Sequence, residues 1–278
     1  MQMHDVALGQ VRVLLCDADG NLFPSEEPAF VASAVVTNAF LAEFGVPVEL
    51  TADQLRLETT GKNFRGTALD LCVSHGVAMH PSLAQRHPGA LTATAEEFRG
   101  RPVLTPAALE RWVAEERRQV TAHLGAVLTP DPAVLDPLTK LAAHLTLVAV
   151  SSSATGRLDA CFAATGLSAL IPPDRRYSAE DSLPVPISKP DPAIYRFAAA
   201  QLGLHSSGAS GRGLAVEDSA AGARSAVAAG LPTIGNVMFV LPAERAGRVE
   251  QLRDAGVAAV VLSWAELADL LLPLLGRS

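Results

Sequence analysis

The chain has 278 residues, 49% of them hydrophobic and 18% charged, enough apolar material for one large domain or two unequal ones around a buried core. A net charge of −7 argues against the basic face that nucleic-acid backbones require, so no nucleic-acid partner is expected. Three widely spaced cysteines, Cys16, Cys72 and Cys161, form no CxxC pair and predict neither a disulfide framework nor a zinc site.

Residues 1–10 show no basic stretch followed by an apolar run, so no leader is expected. No apolar stretch reaches the roughly 18 residues of a membrane span. A cytoplasmic monomer with no membrane partner is the expectation. The first apolar run, residues 11–16, has strand length and stops at Asp17-Ala18-Asp19-Gly20. The pattern then changes. From residue 25 to 126 the apolar spacing is helical, over 28–44, 52–59, 63–75 and 106–124, and no strand signal interrupts it. Pro24 and Thr129-Pro130-Asp131-Pro132 are the natural crossing points.

From residue 145 onward, short apolar runs alternate with helical patterns. Strands are predicted at 145–150, 214–216, 232–234 and 258–262, and helices at 155–165, 191–202, 219–229 and 242–255. A Leu-rich segment at 267–275 reads as a core helix. Asp191-Pro192 has the form of an N-cap followed by proline, and Gly166, Gly203, Gly230 and Gly256 stand where helix-ending glycines belong. Alternation of this kind predicts an α/β fold with a doubly wound parallel sheet. The expected division is a core of residues 1–24 and 127–278 with an all-helical domain, residues 25–126, inserted.

Polar residues fall where such a sheet binds ligands, beyond the carboxyl ends of its strands. The first strand ends at Asp17 and Asp19, the next at Ser151-Ser152-Ser153, and the third at Glu217-Asp218-Ser219, while Ser188-Lys189-Pro190-Asp191 opens a helix. Taken singly, each motif has a plainer reading as a turn, an N-cap or a loop. In this order, each at the end of an apolar run or the start of a helix, they describe a site. Clustered carboxylates repel unless a cation compensates, so Asp17, Asp19, Glu217 and Asp218 are candidate ligands of a hard divalent ion such as Mg2+. Asp17 is the candidate nucleophile on phosphorus and Asp19 the candidate acid and base. Ser151, Ser152 and Lys189 are candidates for the phosphate oxygens.

This set of motifs resembles the haloacid dehalogenase superfamily of phosphohydrolases, in the branch of β-phosphoglucomutase and the sugar-phosphate phosphatases. The run Asp17-Ala18-Asp19-Gly20-Asn21-Leu22 is similar to the first motif of that family, Ser151 to the second, Lys189 to the third, and Glu217-Asp218-Ser219 with Gly222 to the fourth. The resemblance implies a Rossmann-like core with a helical cap. It also implies a magnesium-dependent phosphatase of a small phosphorylated metabolite, such as a sugar phosphate, working through an aspartyl-phosphate. A phosphosugar mutase is the alternative. A histidine common in the branch falls near Ala29 here, which weighs against the mutase. Asn21, Pro24 and Ser188 are further departures, and the insertion is longer than usual around residues 80–105. Within it, Thr60-Gly61-Lys62-Asn63-Phe64-Arg65 resembles the substrate-facing loop. That makes Lys62 and Arg65 candidates for substrate contacts, with solvated charges at a helix start an equal alternative.

Overall fold

The computed structural model describes residues 8–59, 63–85, 87–93, 102–204 and 212–275. After a short 3-10 turn at Leu8–Gln10 comes β1 (Val13–Cys16). It is followed by α1 (Glu26–Glu43), α2 (Ala52–Thr59), α3 (Phe64–Ser74), α4 (Pro81–Ala84) and α5 (Pro106–Val127). The chain continues through α6 (Pro132–Ala142), β2 (Thr146–Ser151), α7 (Thr155–Ala164), β3 (Arg176–Ser178), α8 (Ala193–Gln201) and β4 (Gly213–Glu217). It ends with α9 (Ala220–Ala228), β5 (Thr233–Asn236), α10 (Arg245–Asp254), β6 (Ala259–Val261) and α11 (Trp264–Leu275). These elements form two compact units, one of Met1–Ser25 with Val127–Ser278 and one of Glu26–Ala126. Among the described residues, no helix is long and apolar enough to cross a membrane.

In the first unit, six parallel strands lie in the order β3-β2-β1-β4-β5-β6. β1 reads Val-Leu-Leu-Cys and is buried throughout, as a central strand covered on both faces must be. The strand order reverses at β1, which makes its carboxyl end the topological switch point. Register then decides what gathers there. Cys16 lies opposite Ala149 on β2 and Val216 on β4, so Asp17, Ser151 and Glu217 emerge together at one edge. The amide of Asp17 extends the ladder by donating to the Val216 carbonyl at 2.9 Å.

Several elements depart from the sequence reading. β3 is an edge strand of three residues, Arg-Tyr-Ser, with no apolar run to announce it. α6 begins inside the stretch expected to be a crossing segment: Asp131 accepts from the Ala133 amide at 2.8 Å and Pro132 fills the first turn. That is the start signal of a helix. α8 begins at Ala193, with Pro192 rather than Asp191 as its cap, although the Asp191 carboxylate still accepts from the Ala193 amide at 2.8 Å. The glycines at 166, 203, 230 and 256 all have positive φ, which lets each helix end in a left-handed residue without strain.

The second unit is helical around its own core of Phe40, Leu41, Cys72, Met79, Leu104 and Trp112. Phe40 meets Phe64 and Trp112 edge to face, with centroids 6.1 and 5.9 Å apart. Its longer middle section is not helical throughout. Met79 forms isolated parallel bridges to Thr92 and Leu104, where no extended pairing was expected. The Met79 amide donates to the Leu91 carbonyl at 2.8 Å, and the Ala93 amide to the Met79 carbonyl at 2.9 Å.

Candidate active site

The loop after β1 is held by Asn21. Its fully buried side-chain amide donates to the carbonyls of Asp17 at 3.1 Å and Val216 at 3.0 Å, and its Oδ1 accepts from Asn236 Nδ2 at 2.9 Å. Trp264 Nε1 donates to its backbone carbonyl at 2.9 Å. Asn21 therefore fastens the loop to β4, β5 and the start of α11. Gly20, at φ 74, makes the turn that an L-residue would strain.

Lys189 is the hub of the buried site. Its ammonium donates to Asp17 Oδ1, to the Val150 carbonyl at 2.7 Å and to Glu217 Oε1 at 2.7 Å. Tyr195, also fully buried, donates its hydroxyl to the same Glu217 oxygen at 2.6 Å. Its ring lies under the ammonium, with the centroid 5.0 Å away. The Lys189 amide donates to Ser152 Oγ at 3.2 Å, so the Ser152 hydroxyl braces the lysine's own loop. Burial pulls the Lys189 ammonium down, but Asp17 and Glu217 outweigh it and hold the group protonated. For Asp17, burial pushes the carboxyl up against the pull of Lys189, and Glu217 adds to the rise.

The carboxylates of Asp17, Glu217 and Asp218 are all buried and bring one oxygen each within 4.8 Å of one another. Lys189 faces two of them, and Arg248 Nη1 lies 3.7 Å from Asp218 Oδ2 while donating to the Asp218 carbonyl at 2.9 Å. An oxygen-only donor set with this much negative charge fits a hard divalent ion. Glu217 Oε2 is buried without a hydrogen-bond partner, consistent with an oxygen left for such an ion. It also lies against Gly222, where a Cβ would come within 1.9 Å of it.

Asp19 stands apart from this cluster. Its Oδ1 accepts from Ser25 Oγ at 2.5 Å and from Arg157 at 2.7 Å; its Oδ2 accepts from Ser153 Oγ at 2.7 Å and, more distantly, from Ser151 Oγ at 3.4 Å. Burial raises this carboxyl, but Arg157, Ser25 and Ser153 outweigh it and hold it below the usual carboxylate value. The expected four-carboxylate cluster is thus three carboxylates, with the Asp19 side chain turned toward hydroxyls and a guanidinium. The amides leading into α7 have partners of their own. Ser153 N donates to Ser151 Oγ at 3.0 Å and Thr155 N to Asp181 Oδ2 at 2.6 Å.

In the inserted unit, Arg65 makes a two-pronged pair with Glu110, its second bond 2.6 Å long, and Lys62 falls outside the described residues. Sequence reasoning missed Ser25, Ser153, Arg157, Tyr195 and Arg248. Ser153 closes the Ser151-Ser152-Ser153 run and Arg157 lies in the first turn of α7, so the available signal for both was the segment that follows β2. Tyr195 and Arg248 reach the site only through tertiary packing.

No protein-family model and no curated protein matches the chain. Solved structures do. A conserved haloacid dehalogenase-like protein of unknown function from Agrobacterium tumefaciens is 22% identical with a TM-score of 0.61, over 95% of this chain and 98% of that one. A HAD family hydrolase from Deinococcus radiodurans, solved with bound phosphate and sodium, is 24% identical with a TM-score of 0.59, over 96% and 97%. CbbY from Rhodobacter sphaeroides, in a mutant complex with xylulose-(1,5)bisphosphate, is 21% identical with a TM-score of 0.62, over 92% and 96%. Together with the parallel sheet and its switch-point carboxylates, these likenesses give the chain the fold of the haloacid dehalogenase-like hydrolases.

Proposed function

We propose that the chain is a magnesium-dependent phosphohydrolase of a small phosphorylated metabolite, with a sugar phosphate the favoured class. The observation that carries this reading is the division of labour between two aspartates at the end of β1. Asp17 sits against Lys189 beside Glu217 and Asp218, while Asp19 is held outside that cluster by hydroxyls and Arg157. A nucleophile and an acid–base group need such different surroundings two residues apart.

In this mechanism an Asp17 oxygen attacks phosphorus and the ester P–O bond breaks. Asp19, held ionised by Arg157 before substrate arrives, takes up a proton from solvent as it leaves that pairing and gives this proton to the departing alkoxide. Asp19 then takes a proton from water as the water attacks the aspartyl-phosphate, releasing inorganic phosphate and restoring Asp17. Lys189 holds Asp17 in line and offsets charge on the phosphoryl oxygens, and Ser151 offers them a hydroxyl. Magnesium held by Asp17, Asp218 and Glu217 would supply further neutralisation of the phosphoryl charge. In the helical unit, Lys62 and Arg65 are the candidate substrate contacts. Phosphate and a sugar bisphosphate bound to structural neighbours support a small phosphorylated substrate. Buried free thiols at Cys16, Cys72 and Cys161 suit a reducing cytoplasm.

The test is hydrolysis of p-nitrophenyl phosphate and a panel of sugar phosphates with and without magnesium. Release of phosphate is expected only with the metal, and none from Asp17→Asn. Full activity in excess chelator, or an unimpaired Asp17→Asn enzyme, would refute the mechanism. A mutase differs only in the acceptor of the phosphoryl group, a second hydroxyl in place of water. Priming of hexose phosphate isomerisation by a hexose bisphosphate would identify it.

A further inference from the structure

Asp19 is engaged on both oxygens, by Ser25 and Arg157 on one and by Ser153 and Ser151 on the other. A carboxylate held in this way must give up a donor before it can serve a leaving oxygen. Three of the four donors are hydroxyls, which rotate aside at little cost. The fourth is a guanidinium rising from the first turn of α7, with a side chain only 24% exposed. Parting Asp19 from Arg157 breaks a 2.7 Å ion pair between two largely buried groups, and that is the expensive change. The expense disappears if the substrate brings an anion of its own. The guanidinium then passes from Asp19 to the incoming group, and Asp19 turns to the leaving oxygen. The other cations of the site have other duties: Lys189 serves Asp17 and Glu217, and Arg248 lies at Asp218.

We infer that Arg157 is a specificity-determining residue, selecting phosphomonoesters whose alcohol half carries a second anionic group close to the scissile oxygen. The inference rests on the phosphohydrolase reading above. Proximity follows from the 2.7 Å contact: a guanidinium bonded to the acid–base carboxylate lies beside whatever that carboxylate protonates. Its planar fork accepts a carboxylate or a phosphate equally well, with two parallel N–H donors.

The experiment compares kcat/KM within matched pairs of esters. One pair is glycolate phosphate with ethyl phosphate; the other is propanediol bisphosphate with hydroxypropyl phosphate. Wild type, Arg157→Gln and Arg157→Lys are measured on all four. The wild-type enzyme should prefer the anionic member of at least one pair, and which pair it is distinguishes carboxylate from phosphate. Arg157→Gln should shrink that preference roughly ten- to a hundredfold, the range of a charged hydrogen bond expressed as a rate ratio. Arg157→Lys keeps the charge without the fork and should fall between, and it carries the comparison by itself should the glutamine variant fail to fold. An unchanged preference in both variants overturns the inference, as does an equal loss on all four esters, which would mean that Arg157 only steadies Asp19. Wild-type inactivity on every ester overturns the phosphohydrolase reading as well, and is a different result from an unchanged preference.

Discussion

Gly222 lies in the first turn of α9, where its amide is capped by Ser219 Oγ at 3.1 Å. Helix propensity by itself predicts that Gly222→Ala stabilises the protein by about 1 kcal/mol. The structure predicts the opposite sign. A Cβ at this position would stand 1.9 Å from Glu217 Oε2, 2.2 Å from its Cδ and 2.4 Å from its Oε1. Glu217 is fully buried, so its carboxylate has little room to retreat. Moving it strains or breaks the bonds from Lys189 at 2.7 Å and Tyr195 at 2.6 Å. Crowding in a packed interior costs about 1–3 kcal/mol, and loss of one charged hydrogen bond about 1.5–3 kcal/mol. Set against about 1 kcal/mol of helix propensity, the net is a destabilisation of about 1.5–5 kcal/mol. Urea unfolding followed by circular dichroism measures it, and phosphatase activity should fall with it because Lys189 and Glu217 move together. A variant at least as stable as wild type and fully active would show that the glutamate is not wedged against this helix.

Asn21→Ala should cost about 2–4 kcal/mol in the same unfolding assay, since it removes a buried amide that joins β1, β4 and β5 and leaves its partners unsatisfied. A loss below about 0.5 kcal/mol, the range of ordinary surface changes, would reject the fastening role. Asp19 gives a prediction in pH. Its carboxyl lies below the usual 3.8 in the folded chain, so its contribution to stability is present above that value and is lost as pH falls through the lower folded one. Asp19→Asn should therefore flatten the decline of stability below about pH 4 while leaving the slope from about pH 7 to 9 as in wild type. An identical acid limb in the two proteins would contradict the Arg157 pairing.

Much of the sheet was legible because buried parallel strands are written as short apolar runs, and Val13–Cys16 and Thr146–Ser151 carry that pattern within a residue or two of their ends. β3 was not, because a three-residue edge strand reading Arg-Tyr-Ser has neither length nor apolar continuity. α6 was missed for a different reason: its prolines read as a linker, although the first of them follows an N-cap aspartate. Of the candidate site, Asp17, Lys189, Glu217 and Asp218 come together as neighbours, and Ser152 joins them through the lysine's backbone. The orientation of Asp19 was beyond reach, since its partners lie on two segments far apart in the sequence, at Ser25 and from Ser151 to Arg157.

What the sequence determines by itself is local: where apolar periodicity begins and stops, which residues can end a helix, and which polar side chains follow each strand. The tertiary structure decided which of these ends became neighbours, that Tyr195 and Arg248 join the acidic residues, and that Asp19 faces Arg157 rather than the three-carboxylate cluster. The physical reason is that a strand's pattern encodes its burial but not its partner or register, and only register turns residues as distant as Asp17 and Glu217 into one site.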